Sequence, residues 1–309
     1  MRADHFAFKM ADGVELFVYR WLPDDPAGAT AKVQIAHGMA EHGGRYERFA
    51  QALTAAGYAV YAPDHRGHGR TARSEDDLGY LADADGFNRV VEDHLALNGR
   101  LQKDLPGRPV YLFGHSMGAT LAQVYISRYG EALRGAILSG TTARQGPLIL
   151  FALGAARLEM TFRGNRERSP LLTALSFGAF NRPFRPNRTE FDWLSRDTAE
   201  VDKYVADPLC GFTCTTSFFR DLFTGVRVAH ASATYAEVPA GLPILVFSGD
   251  QDPVGGFGKS VRQTVAAYRE AGCRDVTGKD YPGGRHEMLN ETNRDAVTAD
   301  ILAWLAAHR

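Results

Sequence analysis

Residues Val110-Tyr111-Leu112-Phe113-Gly114-His115-Ser116-Met117-Gly118 decide how this chain is read. The unbroken apolar run from Val110 to Phe113 predicts a strand buried on both faces, and apolar residues at helical spacing from Ala119 to Tyr129 predict a helix directly after it. The G-x-S-x-G spacing between them leaves room for one sharp turn with Ser116 at its tip. Gly114 and Gly118 flank that turn because a Cβ at either place would clash in so tight a strand-to-helix reversal. A serine presented in this way is a candidate nucleophile.

Outward from this unit the pattern repeats. Strand-like Val33–Ala36 and Tyr58–Ala62 alternate with helix-like Gly44–Ala55 and Gly86–Leu101, and a further strand is expected at Gly135–Leu138. Such alternation predicts an α/β fold with a mostly parallel sheet covered on both faces. Upstream, His5 to Trp21 alternates apolar and polar residues around Ala11-Asp12-Gly13, the signature of a hairpin at a sheet edge. The alternation stops near Ala143 and resumes with Pro243–Phe247, Phe257–Ala271, Val276–Tyr281 and Thr292–His308. The expected organisation is a core built from residues 1–142 and 236–309, with 143–235 inserted as a helical cap. Helix-like stretches within the insertion are Leu148–Met160, Glu190–Ser195 and Thr216–Val226.

A serine hydroxyl becomes a useful nucleophile only beside a base, and the base needs an acid that fixes its tautomer. After the strand ending at Phe247 comes Ser248-Gly249-Asp250-Gln251-Asp252, and after the strand ending at Tyr281 comes Pro282-Gly283-Gly284-Arg285-His286. The order Ser116, Asp252, His286 is the one expected of loops at the ends of successive parallel strands. Asp250 is the rival acid, read here as a turn-forming residue of the same loop. An oxyanion formed on attack needs backbone N–H donors, expected from Met117 and from Met39 in the loop after the early strand. Asp64-His65-Arg66-Gly67-His68-Gly69 is read as a hydrogen-bonded turn under the site.

Composition excludes several classes. The 309 residues are 45% hydrophobic and 23% charged with net charge −1, which lacks the basic excess of a nucleic-acid binder. The longest apolar run, Pro147 to Ala156, is too short to cross a bilayer, and Met1 to Met10 has no signal-peptide pattern. Cys210, Cys214 and Cys273 supply neither a closed set of pairs nor four zinc ligands, and a reducing cytoplasm suits them. Gly67-x-Gly69-x-x-Ala72 follows its strand too late for a dinucleotide loop, and His286-Glu287-Met288-Leu289-Asn290 lacks a second histidine for zinc. No metal or cofactor is expected.

Over nearly its whole length the chain resembles the monoacylglycerol lipase and lysophospholipase branch of the α/β-hydrolases, often labelled serine aminopeptidase-like. The resemblance rests on His37-Gly38-Met39-Ala40-Glu41-His42-Gly43-Gly44-Arg45-Tyr46, Pro63-Asp64-His65-Arg66-Gly67-His68-Gly69, Gly114-His115-Ser116-Met117-Gly118 and Ser248-Gly249-Asp250-Gln251-Asp252. It implies a triad of Ser116, Asp252 and His286, an oxyanion hole at Met39 and Met117, and Glu41 and Arg45 near the alcohol side of the pocket. Met39-Ala40 stands where such proteins often have Ala-Gly, which implies a narrower pocket mouth.

The implied activity is hydrolysis of monoacyl esters. In the insertion Leu148, Phe151, Phe177, Phe180 and Phe219 are candidates for an acyl tunnel, and equally for plain packing. An aminopeptidase, holding a free amine on Glu159, Glu167 or Glu190, is the alternative, and a non-catalytic binding module a more distant one. Arg157 to Arg188 contains seven arginines against two acids, read either as a solvated face or as a transient contact with a membrane surface. Oligomeric state has no signature in the sequence.

Overall fold

The computed structural model describes residues 1–309. A hairpin of β1 (Arg2–Lys9) and β2 (Glu15–Leu22) turns at Gly13, whose φ of 86° suits a glycine. There follow β3 (Ala31–Ala36), α1 (Glu47–Ala55), β4 (Tyr58–Pro63), α2 (Gly86–Asp104), β5 (Val110–His115), α3 (Met117–Tyr129) and β6 (Gly135–Ser139). Helices α4 (Leu148–Arg163), α5 (Pro170–Phe177), α6 (Thr198–Ala206), α7 (Thr216–Ala229) and α8 (Ser232–Ala236) separate β6 from β7 (Ile244–Gly249). The chain closes with α9 (Lys259–Glu270), β8 (Val276–Tyr281) and α10 (Arg294–Ala307).

The eight strands form one sheet in the order β1-β2-β4-β3-β5-β6-β7-β8. The β1–β2 and β2–β4 pairs are antiparallel and the rest are parallel. Successive side chains on a strand point to opposite faces, so each inner strand serves two cores. Phe113, Ile137 and Phe247 pack with Phe49, Leu53, Ile301 and Leu305 of α1 and α10. Leu112, Leu138 and Val246 pack with Val91, Val124, Tyr125 and Val265 of α2, α3 and α9.

Two long polar side chains inside this sheet have partners on α2. Lys32 on β3 is fully buried, yet its Nζ donates to Leu101 O, Gln102 Oε1 and Leu105 O at the C-terminus of α2. Leu101 O also accepts Leu105 N–H, so the lysine adds a second, charged donor at the last turn of the helix, where the dipole favours a cation. Gln34 donates to His94 in the same layer.

Local differences from expectation have backbone causes. The predicted helix from Gly44 opens as a 3-10 turn over Gly43–Tyr46, and α9 starts at Lys259 because Phe257 and Gly258 take φ of 60° and 77°. Glu190–Ser195 holds only the short turn Asp192–Leu194. Helices α5, α6 and α8, which no periodicity singled out, complete the insertion; α5 is capped by Ser169, whose side chain accepts from Leu172 N–H. The inner strands end on one edge of the sheet, and the loops leaving β3, β5, β7 and β8 meet there.

Candidate active site

Ser116 has φ 55° and ψ −116°, a conformation that a non-glycine residue adopts only under constraint. Its N–H donates to Ser139 O at 2.9 Å, and its carbonyl accepts from Ala119 and Thr120 N–H as α3 begins. A Cβ on Gly114 would lie 2.3 Å from Gly118 O, and one on Gly118 would lie 1.9 Å from Ala36 O. Both glycines are therefore required by backbone contact.

Met117 is the first residue of α3, so its N–H has no intrahelical acceptor. Across from it the Gly38–Glu41 loop leaves β3, with Ala40 at φ 51°. Gly38 N–H donates to Glu41 Oε1 at 2.5 Å, and Ala40 O accepts from Tyr204 Oη and Gly211 N–H, each at 2.9 Å. Met39 N–H is engaged by no backbone acceptor. The loop is thus held from the core by Glu41 and from the insertion by Tyr204, with the Met39 donor left over.

Beneath it lies a floor of histidines. His37 donates from Nδ1 to Gly38 O at 2.7 Å and accepts His65 N–H on Nε2 at 2.9 Å. His65 in turn donates from Nε2 to His37 O. Burial pushes both rings well below the ordinary histidine range, and His68 and His94 to about 4. Asp64 accepts from Gly43 and Arg70 N–H at 2.7 Å each, pinning the following turn.

The Asp252 carboxylate is fully buried and meets three donors. His286 Nδ1 lies 3.0 Å and Ser248 Oγ 2.7 Å from Oδ2, and Val254 N–H donates to Oδ1 at 2.9 Å. Burial works to raise this carboxyl, but His286 and the hydrogen bonds hold it below the usual carboxylate range. Burial likewise works to lower His286, and the Asp252 charge, with Glu287 and Glu41 behind it, carries it above its ordinary value. With its Nδ1 proton given to Asp252, the imidazole keeps Nε2 as an acceptor. Asp250 instead accepts Gly283 N–H at 2.8 Å and holds the His286 loop from outside.

The His286 ring lies between His115 and Trp193, with centroids 4.8 and 5.2 Å away. His115 also borders Ser116: a Cβ built on Gly38 would be 3.4 Å from both His115 Cδ2 and Ser116 Cβ. Ser116 Oγ and His286 are not hydrogen-bonded to each other here, as is common before substrate tightens such a site. The arrangement leaves His286 Nε2 without a protein partner and the N–H groups of Met39 and Met117 without a backbone acceptor.

The remaining residues singled out in the sequence are placed differently. Phe177 and Phe180 are half-buried against Trp193, at 6.4 and 5.2 Å between centroids, and so approach His286 through it. Phe219 is enclosed between Phe218 and Phe223 in the core, while Leu148 and Phe151 stand 61% and 72% exposed on α4. Leu148 and Phe151 line no enclosed tunnel, because α4 turns its inner face to α7 and these two residues outward, and Phe219 is spent on core packing. Glu41 and Arg45 spend their polar atoms on each other, on Gly38 N–H and on Glu287.

Trp193, Tyr204 and Glu287 were not foreseen, since nothing local marks their long-range contacts. Ser248 was legible, four residues before Asp252 in the same loop. His42, Asp207 and Cys210 bring potential ligand atoms within 4.8 Å of one another. His42 Nδ1 accepts Gly44 N–H, however, so Nε2 carries the proton it gives to Asp207 and is not free for a metal. The three cysteines are free thiols.

Comparison with known proteins assigns the family. The family model described as serine aminopeptidase, S33, matches residues 27–293. The chain is 31% identical to a monoacylglycerol lipase of Mycolicibacterium smegmatis, over 99% of this chain and 98% of that protein. It is 30% identical to the human monoglyceride lipase, over 96% and 88%. Among solved structures, a thermostable carboxyl esterase from Bacillus coagulans in complex with glycerol superposes with a TM-score of 0.91, at 28% identity and 99% coverage of both chains. The chain belongs to the serine aminopeptidase S33 family of α/β-hydrolases, in the branch that includes the monoacylglycerol lipases.

Proposed function

We propose that the protein is a serine carboxylic-ester hydrolase acting on monoacyl esters of the monoacylglycerol or lysophospholipid type. The observation that carries this is the buried Asp252–His286 pair, 3.0 Å apart, on loops at the same sheet edge as the strained Ser116 turn. Ser116 Oγ attacks the ester carbonyl while His286 Nε2 takes its proton, and Asp252 stabilises the imidazolium. The N–H groups of Met39 and Met117 receive the oxyanion. His286 then protonates the departing alcohol, and water activated by the same nitrogen releases the acid and restores Ser116.

Residues 143–235 serve as the cap. Phe177, Phe180 and Trp193 form the apolar wall next to His286, on which we place the acyl chain. The outer face of α4 exposes Leu150, Phe151, Leu158 and Phe162 beside Arg157 and Arg163, a composition suited to transient contact with a lipid surface. No helix is long and apolar enough to cross a membrane. The free thiols suit a reducing cytoplasm.

The three acids named for an aminopeptidase do not supply its anchor. Glu159 is taken up by Arg163 and Ser169, and Glu167 and Glu190 are exposed, so none offers a buried carboxylate to a free amine. The test is a panel of p-nitrophenyl esters, monoacylglycerols, lysophospholipids and aminoacyl amides with wild type and Ser116→Ala. Ester turnover should drop by roughly 10⁴ to 10⁶ in the variant, and a fluorophosphonate should label Ser116 alone. A folded Ser116→Ala protein that still hydrolyses esters removes the mechanism, and a preference for amides removes the substrate class.

A further inference from the structure

One buried ion network ties two loops of the site together from behind. Arg45 Nη1 donates to Glu41 Oε2 at 2.6 Å and to Glu287 Oε1 at 2.7 Å, and Nη2 donates to Glu287 Oε2 at 2.7 Å. The three side chains are 12%, 4% and 7% exposed in the order Arg45, Glu41, Glu287. Glu41 Oε1 accepts from Gly38 N–H and from Tyr46 Oη, and Glu287 Oε2 accepts from Asn290 Nδ2. The guanidinium sits over the Tyr204 ring at 4.8 Å, and the Tyr204 hydroxyl holds Ala40 O. A single side chain therefore connects the peptide before Met39 to the residue after His286.

The charges in this network do not cancel. Two carboxylates share one guanidinium, which leaves a negative charge in the interior, and such a charge is costly unless something positive meets it. His115 lines the same cavity as Glu41, Arg45 and Glu287, the His286 ring lies 4.8 Å from His115, the carboxylates act on both rings, and Asp252 is bonded to His286. Arg285 is turned away onto Asp192 O and Ser195 O, and Glu291 is occupied by Arg196 and by Arg285 N–H. Burial keeps His115 neutral, at about 4, despite the same carboxylates. In the proposed reaction His286 alone gains positive charge.

We propose that Arg45 and Glu287 are positioning residues for the hydrolysis. Their bridge fixes the Met39 loop relative to His286, and the surplus carboxylate faces the imidazolium formed when His286 takes the Ser116 proton. This rests on the reading of Ser116 and His286 given above. Neither residue touches the reacting atoms. A purely structural salt bridge would leave the pH profile unmoved, whereas a charge that acts on His286 will not.

The experiment is kcat and KM against pH on a soluble p-nitrophenyl ester for wild type, Glu287→Gln and Arg45→Lys. In Glu287→Gln the acid limb of kcat/KM, which reports His286 in the free enzyme, should move down by about one pH unit, the effect of one nearby charge in a partly screened interior. Arg45→Lys keeps the charge but loses the two-loop span, so kcat should fall roughly tenfold with the acid limb and KM unchanged. An acid limb of Glu287→Gln superimposed on that of wild type overturns the proposal, as does a loss confined to KM. Should Glu287→Gln not fold, Glu287→Asp must keep the wild-type acid limb at reduced kcat, and a moved limb there is equally fatal. A wild type that neither hydrolyses esters nor takes a fluorophosphonate at Ser116 removes the functional reading itself. An active, labelled wild type with an unmoved Glu287→Gln profile removes only this inference.

Discussion

Replacing Asp252 by asparagine changes one oxygen to an amide, and the surrounding donors set what that costs. The carboxylate takes His286 Nδ1–H and Ser248 Oγ–H on one oxygen and Val254 N–H on the other. An asparagine cannot satisfy all three. With its NH2 toward His286, the imidazole must present an unprotonated Nδ1, which moves the proton to Nε2 and leaves Ser116 without a base. With its NH2 toward Val254, two N–H donors confront each other in a fully buried place, at about 1–3 kcal/mol, and the charge that stabilises the imidazolium is still gone. Turnover should fall by roughly 10³ to 10⁴, or about 4–5.5 kcal/mol in the barrier. Asp250→Asn is the control, because an amide oxygen can still accept Gly283 N–H, and a loss within about fivefold is expected, or about 1 kcal/mol. The assay is kcat/KM on p-nitrophenyl butyrate, with folding checked by circular dichroism and thermal melting. Equal losses in the two folded variants, or a larger one in Asp250→Asn, would refute the assignment of the acid.

Gly118→Ala forces a methyl to within 1.9 Å of Ala36 O, so α3 must back away from β3 and carry the Met117 donor with it; activity should fall by about 10²-fold, whereas Gly154→Ala, which meets no atom within 4 Å in mid-α4, should raise stability by about 0.5–1 kcal/mol. Equal melting temperatures for the two would count against this. His68, His94 and His115 sit at about 4 when folded, against an ordinary 6.5, so the unfolded chain binds their protons first. Each contributes up to about 3 kcal/mol that is lost as pH falls from 6.5 through 4. Asp64, raised by burial to about 6, opposes this over part of the window without cancelling it. A melting temperature flat from pH 7 to 4 would contradict the buried-histidine account. Phe151→Ser with Phe162→Ser should weaken binding to anionic vesicles at least tenfold, from about 2 kcal/mol of burial per ring, without affecting hydrolysis of a soluble acetyl ester. Unchanged vesicle binding would assign the α4 face to solvent.

Much of the frame was readable because its causes are local. Val110–Phe113 is apolar throughout since β5 has sheet neighbours and helices on every side, and the glycines at 114 and 118 sit where backbones touch. The insertion was harder. Helix α5 is nearly all apolar over eight residues, and so has no polar face to give a period. Lys32 and Gln34 would argue against a buried strand, and only the distant end of α2 and His94 explain them. Contacts such as Trp193 on His286 or Arg45 on Glu287 join residues far apart in the chain, and spacing carries no trace of them. The apolar side chains of α4 look like core in the sequence, yet several face outward, because periodicity reports which residues share a face and not what that face meets.

The bond from Tyr204 to Ala40 O, with Gly211 N–H on the same carbonyl, divides the insertion into two kinds of material. The stretch around α6 is masonry: it props from outside the loop that presents Met39, which Glu41 holds from the core. The stretch from α4 through α5 carries the exposed apolar side chains and no such strut to that loop. A chimera that exchanges residues 147–180 with those of a relative is therefore a graft of upholstery, altering which esters and surfaces the protein meets while its chemistry stands. A graft extended through residue 211 removes the prop along with the covering, so the boundary for redesign lies inside the insertion and not at its ends.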